Sequence, residues 1–230
     1  DVVRGPQGAW MGSAASGALV MRTRDNLGGA RLELDGRMGA NGYQQFTALG
    51  QINHRQGHSL WMVNHQSAEG YRDHSQYRSQ SALYKRFWGS KEQGQWRWTG
   101  LFFHSPQAQD PGGLTEAQWL ESPRQARTAN VDFQVDESVT HAQSALHWRQ
   151  TKESRTSNAF AYLSYRDFAS LLPYTSGGAT SFTRWYGGVG YQATDRKTWG
   201  LLGWGASHQN QTDQRQRYDN VNGQPGASLS

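Results

Sequence analysis

The stretch that most resembles a chemical motif lies near the start of the chain, where small residues form GSAASG at 12–17. A phosphate-binding loop requires G-x-x-x-x-G-K-[ST], but Gly12 is followed by Ser13 and no lysine. The nucleophile elbow of hydrolases requires G-x-S-x-G, which is also missing. A dinucleotide-binding loop should lead into a long helix, whereas GALVMRTR reads as a strand. The stretch therefore predicts a backbone shape and no catalytic site.

Other residue types that carry chemistry give no catalytic pattern either. Cysteine is absent, and the eight histidines show no spacing such as H-E-x-x-H, so we expect no bound metal and no cofactor. His141 and His147 fall on one strand face, but no motif marks a serine partner. The formal charge of +5 is scattered among acidic residues and accompanies no nucleic-acid-binding motif. We therefore expect a protein that is not an enzyme and does not bind nucleic acid.

Apolar and polar residues alternate along much of the chain, and this period of two predicts β-strands. In ARLELDGRM, 30–38, Leu32 and Leu34 alternate with Glu33 and Asp35, which indicates a strand with one apolar face. The other alternating segments are 43–53, 95–103, 129–137, 140–150 and 183–191, and weaker ones lie near 58–66, 77–88, 158–166 and 198–208. Helix is predicted only in GLTEAQWLESP, 113–123. The pattern thus predicts about ten strands.

Strand length and aromatic position indicate the fold class. The segments approach the 9 to 11 residues of a tilted membrane strand, and tryptophan recurs near strand ends on the apolar face. Short turns such as 54–57 and 90–94 alternate with longer polar stretches such as 66–76 and 104–128. A soluble β-sandwich also has alternating strands, but its strands are usually shorter. The prediction is an all-β fold, an antiparallel transmembrane β-barrel.

The opening residues VVRGPQGAWMGSAASGALVMRTR resemble the end of the plug domain in TonB-dependent outer-membrane receptors. The shared pattern includes Arg-Gly-Pro at 4–6, Gly12, Gly17 and Thr23, while Ala18 stands where a second glycine is usual. Two further stretches, 110–126 and 214–230, resemble loops and inter-strand segments of ferric-siderophore receptors in that family. The resemblance covers the chain from end to end.

The resemblance implies a fragment with two parts. Residues 1–27 would be the C-terminal end of the plug, and residues 28–230 would supply about ten of the 22 strands of the barrel. It also implies active uptake of a ferric siderophore across the outer membrane of a Gram-negative bacterium, powered by the TonB complex. The expected partners are therefore TonB, the ferric siderophore and outer-membrane lipid, with the full-length protein a monomer. Haem, cobalamin or another nutrient as cargo, or a porin or adhesive barrel without a plug, remains an alternative.

The same resemblance suggests which residues act. In the plug motif Arg4 would pair with carboxylates of the barrel wall, and glycines would set the backbone; the motif residues are Arg4, Gly5, Pro6, Gly12 and Gly17. Cargo contacts are expected from extracellular loops whose side chains suit a bulky, often anionic iron complex. The candidates are Tyr71, Arg72, His74 and Tyr77 in SAEGYRDHSQY, and His104 and Trp119 in the 104–128 stretch.

Overall fold

A computed structural model describes residues 2–5, 16–90 and 92–229, and these residues form mainly antiparallel strands. Two short strands, β1 (Val2–Arg4) and β2 (Gly17–Leu19), pair with each other. The large sheet of the described ranges has ten strands: β3 (Arg31–Met38), β4 (Gln44–His54), β5 (Gly57–Ala68), β6 (Tyr77–Ser90), β7 (Gly94–Ala108), β8 (Asp136–Lys152), β9 (Arg155–Leu171), β10 (Ala179–Lys197), β11 (Gly200–Val221) and β12 (Gln224–Ser228). The helices are α1 (Glu116–Glu121) and α2 (Thr128–Asp132). This architecture confirms the predicted all-β class.

The large sheet is an up-and-down meander in which every strand pairs with its neighbours in the sequence. Successive connections therefore alternate between the two ends of the sheet. One end, the turn side, has the tight connections between β4 and β5, β6 and β7, β8 and β9, and β10 and β11. The other end, the loop side, has the connections at 39–43, 69–76, 109–135, 172–178 and 222–223. The predicted contrast between short turns and long loops is confirmed except at 222–223, where the loop side also has a two-residue turn.

The register separates an apolar face from a polar face. One continuous row on the apolar face, the outer face, is Leu34, Ala48, Val63, Ala82, Phe102, Ala142, Tyr165 and Trp185. The adjacent row on the opposite face, the inner face, is Asp35, Thr47, Asn64, Ser81, Phe103, His141, Arg166, Arg184 and Asp213. The alternation that the sequence predicts is thus kept in register across the whole sheet.

Apolar side chains of the outer face are largely exposed. Trp185 is 52% exposed, Leu163 55% and Val189 56%. The buried apolar residues of the described ranges are only Leu60, Val135, Ala179 and Ala193. A soluble domain would cover such a continuous apolar surface. The sheet therefore has the polarity of a barrel wall whose apolar side faces away from the interior.

Residues 23–28 cross the inner face near the turn side. Lys85, which is 4% exposed, donates to the carbonyl oxygens of Thr23 at 3.3 Å and Arg24 at 3.0 Å and forms an ion pair with Asp25. The His58 ring lies 2.6 Å from the Asp25 carbonyl oxygen. This segment is called the strap below, and its contacts identify the polar side of the sheet as the covered, interior side.

The prediction of a strand at 129–137 is wrong. Residues 128–132 form α2, and a positive φ of 48° at Gln134 ends this turn before β8 starts at Asp136. The Asn130 side chain is 2% exposed and donates to the Asp110 carbonyl oxygen at 3.0 Å, and Val135 N donates back to the Asn130 carbonyl at 2.9 Å. These local hydrogen bonds form a folded loop in place of a sheet ladder.

The short helix predicted in 113–123 is confirmed as α1. Thr115 caps it by accepting from Gln118 N, and the Gln118 side chain accepts from Thr115 N at 2.9 Å, so the two residues form a capping box. Strand β12 was not predicted, because Pro225 and Gly226 interrupt any alternation there. Neither helix in the described ranges is long or apolar enough to cross a membrane.

Candidate anion-binding site on the inner face

Three arginines gather on the inner face near the loop side of β9, β10 and β11. Arg166 in β9 lies directly across from Arg184 in β10, and Arg184 lies across from Asp213 in β11. Arg215 follows Asp213 by two positions and therefore shares its face. Period-two alternation and the strand register together bring these side chains into one group, called the arginine cluster below.

Asp213 organises the cluster from one side. Arg184 donates to both carboxylate oxygens of Asp213, at 2.7 Å each, in a bidentate pair. Arg215 donates to Asp213 Oδ2 from Nε at 3.3 Å and from Nη2 at 2.9 Å. Arg184 and Asp213 side chains are 23% and 19% exposed, so the pair is only partly screened by solvent. The carboxylate fixes both guanidinium groups in place.

Aromatic rings form the floor of the cluster. Phe168 and Phe182 stack across β9 and β10 with centroids 5.1 Å apart. The guanidinium of Arg184 lies 5.2 Å from the Phe182 centroid, and that of Arg215 lies 5.5 Å from it. Arg166 lies 5.8 Å from the Phe168 centroid. Stacking on rings restrains the arginine side chains while their hydrogen-bonding edges stay available.

Several polar atoms of this region have no hydrogen-bond partner. Arg166 Nε, His141 Nδ1 and Ser164 Oγ are buried and unpaired among the described residues. His141 pairs with Arg166 in the register and stacks on Tyr186 with centroids 6.2 Å apart. Buried polar groups are usually hydrogen-bonded, so an unpaired group next to a cluster of charge points to a ligand or water that completes it.

The charge balance indicates what the site can bind. The cluster contains three guanidinium groups and one carboxylate, Asp213, which pairs with Arg184 and Arg215, so its formal charge is +2. Guanidinium groups bind carboxylates and phenolates through paired hydrogen bonds, and the rings of Phe182 and Tyr186 add flat apolar contact area. The arrangement suits a bulky anion. No group of three or more metal-ligating side chains lies close enough to hold an ion in the described ranges.

The 69–76 and 109–135 connections of the loop side are joined by side chains that the sequence predicted to be ligand contacts. Arg72 donates to the carbonyl oxygens of Gly112 at 2.6 Å, Pro111 at 3.2 Å and Gln125 at 3.0 Å. The His74 ring lies 2.8 Å from the Val135 carbonyl oxygen. In the structure both side chains hold the 109–135 loop in place, and their role toward cargo stays a prediction.

The remaining predicted loop residues occupy different surroundings. Tyr71 is 54% exposed and Trp119 on α1 is 57% exposed, with the Arg124 guanidinium 5.2 Å from the Tyr71 ring centroid. Tyr77 begins β6, where it pairs in register with Ala68 and Ala108. The prediction that His104 lies in a loop is wrong, because β7 continues through Ala108. His104 lies on the outer face, stacked on Phe102 and 3.0 Å from Thr140 Oγ1. The structure does not bring these residues into the arginine cluster.

The plug-motif residues are partly described. Arg4 is exposed in β1 and pairs in register with Gly17; within the described ranges it forms no ion pair. Gly17 has a φ of +143°, and a Cβ there would lie 2.6 Å from the Val3 carbonyl oxygen, so this position requires glycine. Gly5 has a φ of +86°. Pro6 and Gly12 lie outside the described residues.

Sequence reasoning missed the arginine cluster as a site. Alternation did place Arg184 and His141 on polar strand faces. However, nothing in the sequence states that Arg166, Arg184 and Asp213 share one row, because that depends on the register of three long strands. The available signal was the recurrence of arginine on the polar face of successive strands, beside aromatic residues.

Comparison with known proteins supports the fold. No protein-family model matches the chain. Among solved structures, the chain is similar to the ferric citrate transporter FecA in its unliganded form, with a TM-score of 0.65 and 15% sequence identity. The similarity covers 86% of this chain and 30% of FecA, so the chain spans less than a third of that transporter's length. The ten-stranded sheet therefore has the fold of part of a β-barrel like that of FecA.

Proposed function

We propose that this chain is part of a TonB-dependent receptor that takes up a ferric siderophore across the outer membrane of a Gram-negative bacterium. The observation that carries the proposal is the arginine cluster on the interior side of a barrel-type wall. It combines one unpaired arginine, Arg166, with two arginines held by Asp213 on an aromatic floor, at the end of the sheet where the long loops lie. FecA, the structure to which this chain is similar, is a ferric citrate transporter, which is a function of the same class.

The cluster would act by charge and shape. A ferric siderophore with carboxylate or catecholate groups carries negative charge, which Arg166, Arg184 and Arg215 would contact with charge-assisted hydrogen bonds. No covalent step is required of these residues. The strap beneath would belong to the plug, and TonB would pull the plug so that the cargo passes inward. Lys85 and Asp25 are then contacts that such a movement has to break.

Binding and uptake by the full-length protein test this proposal. Arg166→Gln removes a cationic group that makes no hydrogen bond or ion pair in the described structure, so folding should be preserved. We expect it to weaken binding of an anionic ferric tricarboxylate or catecholate by about tenfold, the scale of one charge-assisted hydrogen bond. Arg37→Gln is the matched control, because it removes an inner-face arginine on the remote strand β3.

Two results would contradict the proposal. Equal affinity of the wild type and Arg166→Gln for every anionic ferric complex would remove the cluster as the cargo site. Uptake of labelled iron at the same rate in cells with and without TonB would instead indicate a passive pore. A neutral ferric hydroxamate serves as the comparison ligand, and its binding should change little in the variant.

A further inference from the structure

An arginine on the outer face lacks a partner. Arg86 in β6 lies in a row of the outer face whose other members are Ile52, Ser59, Trp98, Leu146, Ala161 and Val189. Its Nη1 is buried and makes no hydrogen bond, and no carboxylate of the described residues forms an ion pair with it. A guanidinium on an apolar surface is costly unless an anion or water satisfies it.

Polar side chains surround Arg86 on the same face. Ser59, directly across from Arg86, is 3% exposed and lies 2.9 Å from the hydroxyl of Tyr84. The His54 ring lies 2.9 Å from the Ser59 hydroxyl, which completes a chain of three hydrogen-bonding groups. On the other side Trp98 packs on Tyr84 with centroids 5.3 Å apart. These groups form a small polar site beside one cation, at the turn-side part of the outer face.

A row of aromatic residues marks the level of the site. The next row on the outer face, toward the turns, contains Trp88, Trp96, Trp148 and Tyr191. Trp88 and Trp96 stack with centroids 6.2 Å apart, and Trp148 lies 6.3 Å from Trp96. Such aromatic belts lie at the headgroup level of a bilayer. Arg86 is two residues from the belt, about 7 Å along the strand, a distance that an arginine side chain spans.

We propose that Arg86, with the Tyr84 hydroxyl, binds the phosphodiester of a phospholipid in the leaflet at the turn side of the wall. Charge complementarity favours a phosphate group, since phosphate oxygens accept from a guanidinium in the paired geometry that Arg86 offers. The neighbouring aromatic belt places Arg86 within reach of the lipid headgroups. The inference rests on the membrane location contained in the proposed function, and it is independent of the cargo.

Native mass spectrometry of the full-length protein, released from phospholipid nanodiscs, tests the site. We expect Arg86→Gln to lose a retained phospholipid that the wild type keeps, and Arg86→Lys to keep it in part. Arg155→Gln is the matched control, because Arg155 is also an outer-face arginine on the turn side but is paired with Asp195 at 2.7 Å. It should retain the lipid. Heat-modifiable gel mobility verifies that each variant is folded.

Three outcomes would overturn the inference. Equal lipid retention by the wild type and Arg86→Gln removes the site. Equal loss in Arg86→Gln and Arg155→Gln shows a general effect of surface charge. Displacement of the lipid by millimolar inorganic phosphate shows a site for free phosphate. Failure of the protein to enter nanodiscs would instead contradict the membrane location, whereas unchanged cargo binding by Arg166→Gln with the lipid retained would contradict the proposed cargo site only.

Discussion

Single residues connect the strap to the wall, and Lys85 makes more of these contacts than any other residue. Its ammonium group binds two carbonyl oxygens and the Asp25 carboxylate, and its side chain is 6% exposed. Arg97 adds a weaker contact to Asp25 at 3.5 Å, and Gln51 Oε1 accepts from Leu27 N at 2.6 Å. The strap has no apolar core of its own, so these polar contacts decide whether it stays on the sheet.

Replacing Lys85 should therefore release the strap. Lys85→Met keeps the length of the side chain but leaves the carbonyl groups of Thr23 and Arg24 without their donor. Because Asp25 is half exposed and keeps Arg97, we expect a cost of about 1 to 3 kcal/mol, the scale of an unsatisfied hydrogen-bonding group. In the full-length protein, trypsin should then cut at Arg22 and Arg24 faster than in the wild type.

Lys152→Met provides the control, since Lys152 is an exposed lysine at the end of β8. Its cleavage pattern at the strap should match the wild type. Unchanged protection of Arg22 and Arg24 in Lys85→Met would mean that other contacts hold the strap.

At the scale of elements, the start of β8 is fixed by one carboxylate. Asp136 Oδ1 accepts from Ala108 N at 2.7 Å and from Glu137 N at 2.8 Å, so it joins the end of β7 to the first residues of β8. The bond from Ala108 N is part-buried, so water only partly replaces the acceptor if the carboxylate is lost.

Removing this acceptor should loosen the start of β8. Asp136→Ala leaves Ala108 N and Glu137 N without their acceptor, so we expect a cost of about 1 to 3 kcal/mol, the scale of an unsatisfied hydrogen-bonding group. Thermal unfolding of the full-length protein should show this variant to be less stable than the control Glu137→Ala, which removes the neighbouring exposed carboxylate. Equal stability of the two variants would mean that the Asp136 carboxylate does not hold the start of the strand.

The elements also show what sequence patterns can and cannot predict. Trp96, Trp98 and Phe102 against Arg97 predicted β7 and its faces correctly, because one face is apolar throughout. Val131, Phe133 and Val135 alternate equally well, yet they lie in and after α2, where the Asn130 side chain and a left-handed Gln134 set the backbone. Alternation alone contains no information about such local hydrogen bonds.

The arginine cluster depends on the register of three strands, β9, β10 and β11. Arg166 and Arg184 lie in different strands, and Asp213 lies in a third, so a shift of one residue in either pairing would move an arginine to the outer face. The polar face was predictable from residue types, but the meeting of these charges was not. The same limit applies to Arg86, which the sequence places in a strand without showing that its neighbours leave it unpaired.

At the scale of the whole molecule, the sheet is polar inside and apolar outside, with different connections at its two ends. Within the described ranges, β3 and β12 each pair on one side only. In lipid, unpaired strand edges are unfavourable, so both edges need partner strands if the wall closes. The proposed membrane location then requires one orientation, in which the loop side faces the medium and the turn side faces the periplasm.

Cysteine labelling in cells tests this orientation. The 230 residues contain no cysteine, so a single introduced thiol reports one position within them. Ala117→Cys places an exposed thiol on α1 at the loop side, and Ser154→Cys places one in the exposed turn between β8 and β9. With a membrane-impermeant maleimide, intact cells that make the full-length protein should label Ala117→Cys only. Ser154→Cys should label once the outer membrane is permeabilised, and the protein without an added cysteine gives the background. Labelling of Ser154→Cys in intact cells would reverse the orientation, and equal labelling of both positions would contradict the membrane location itself.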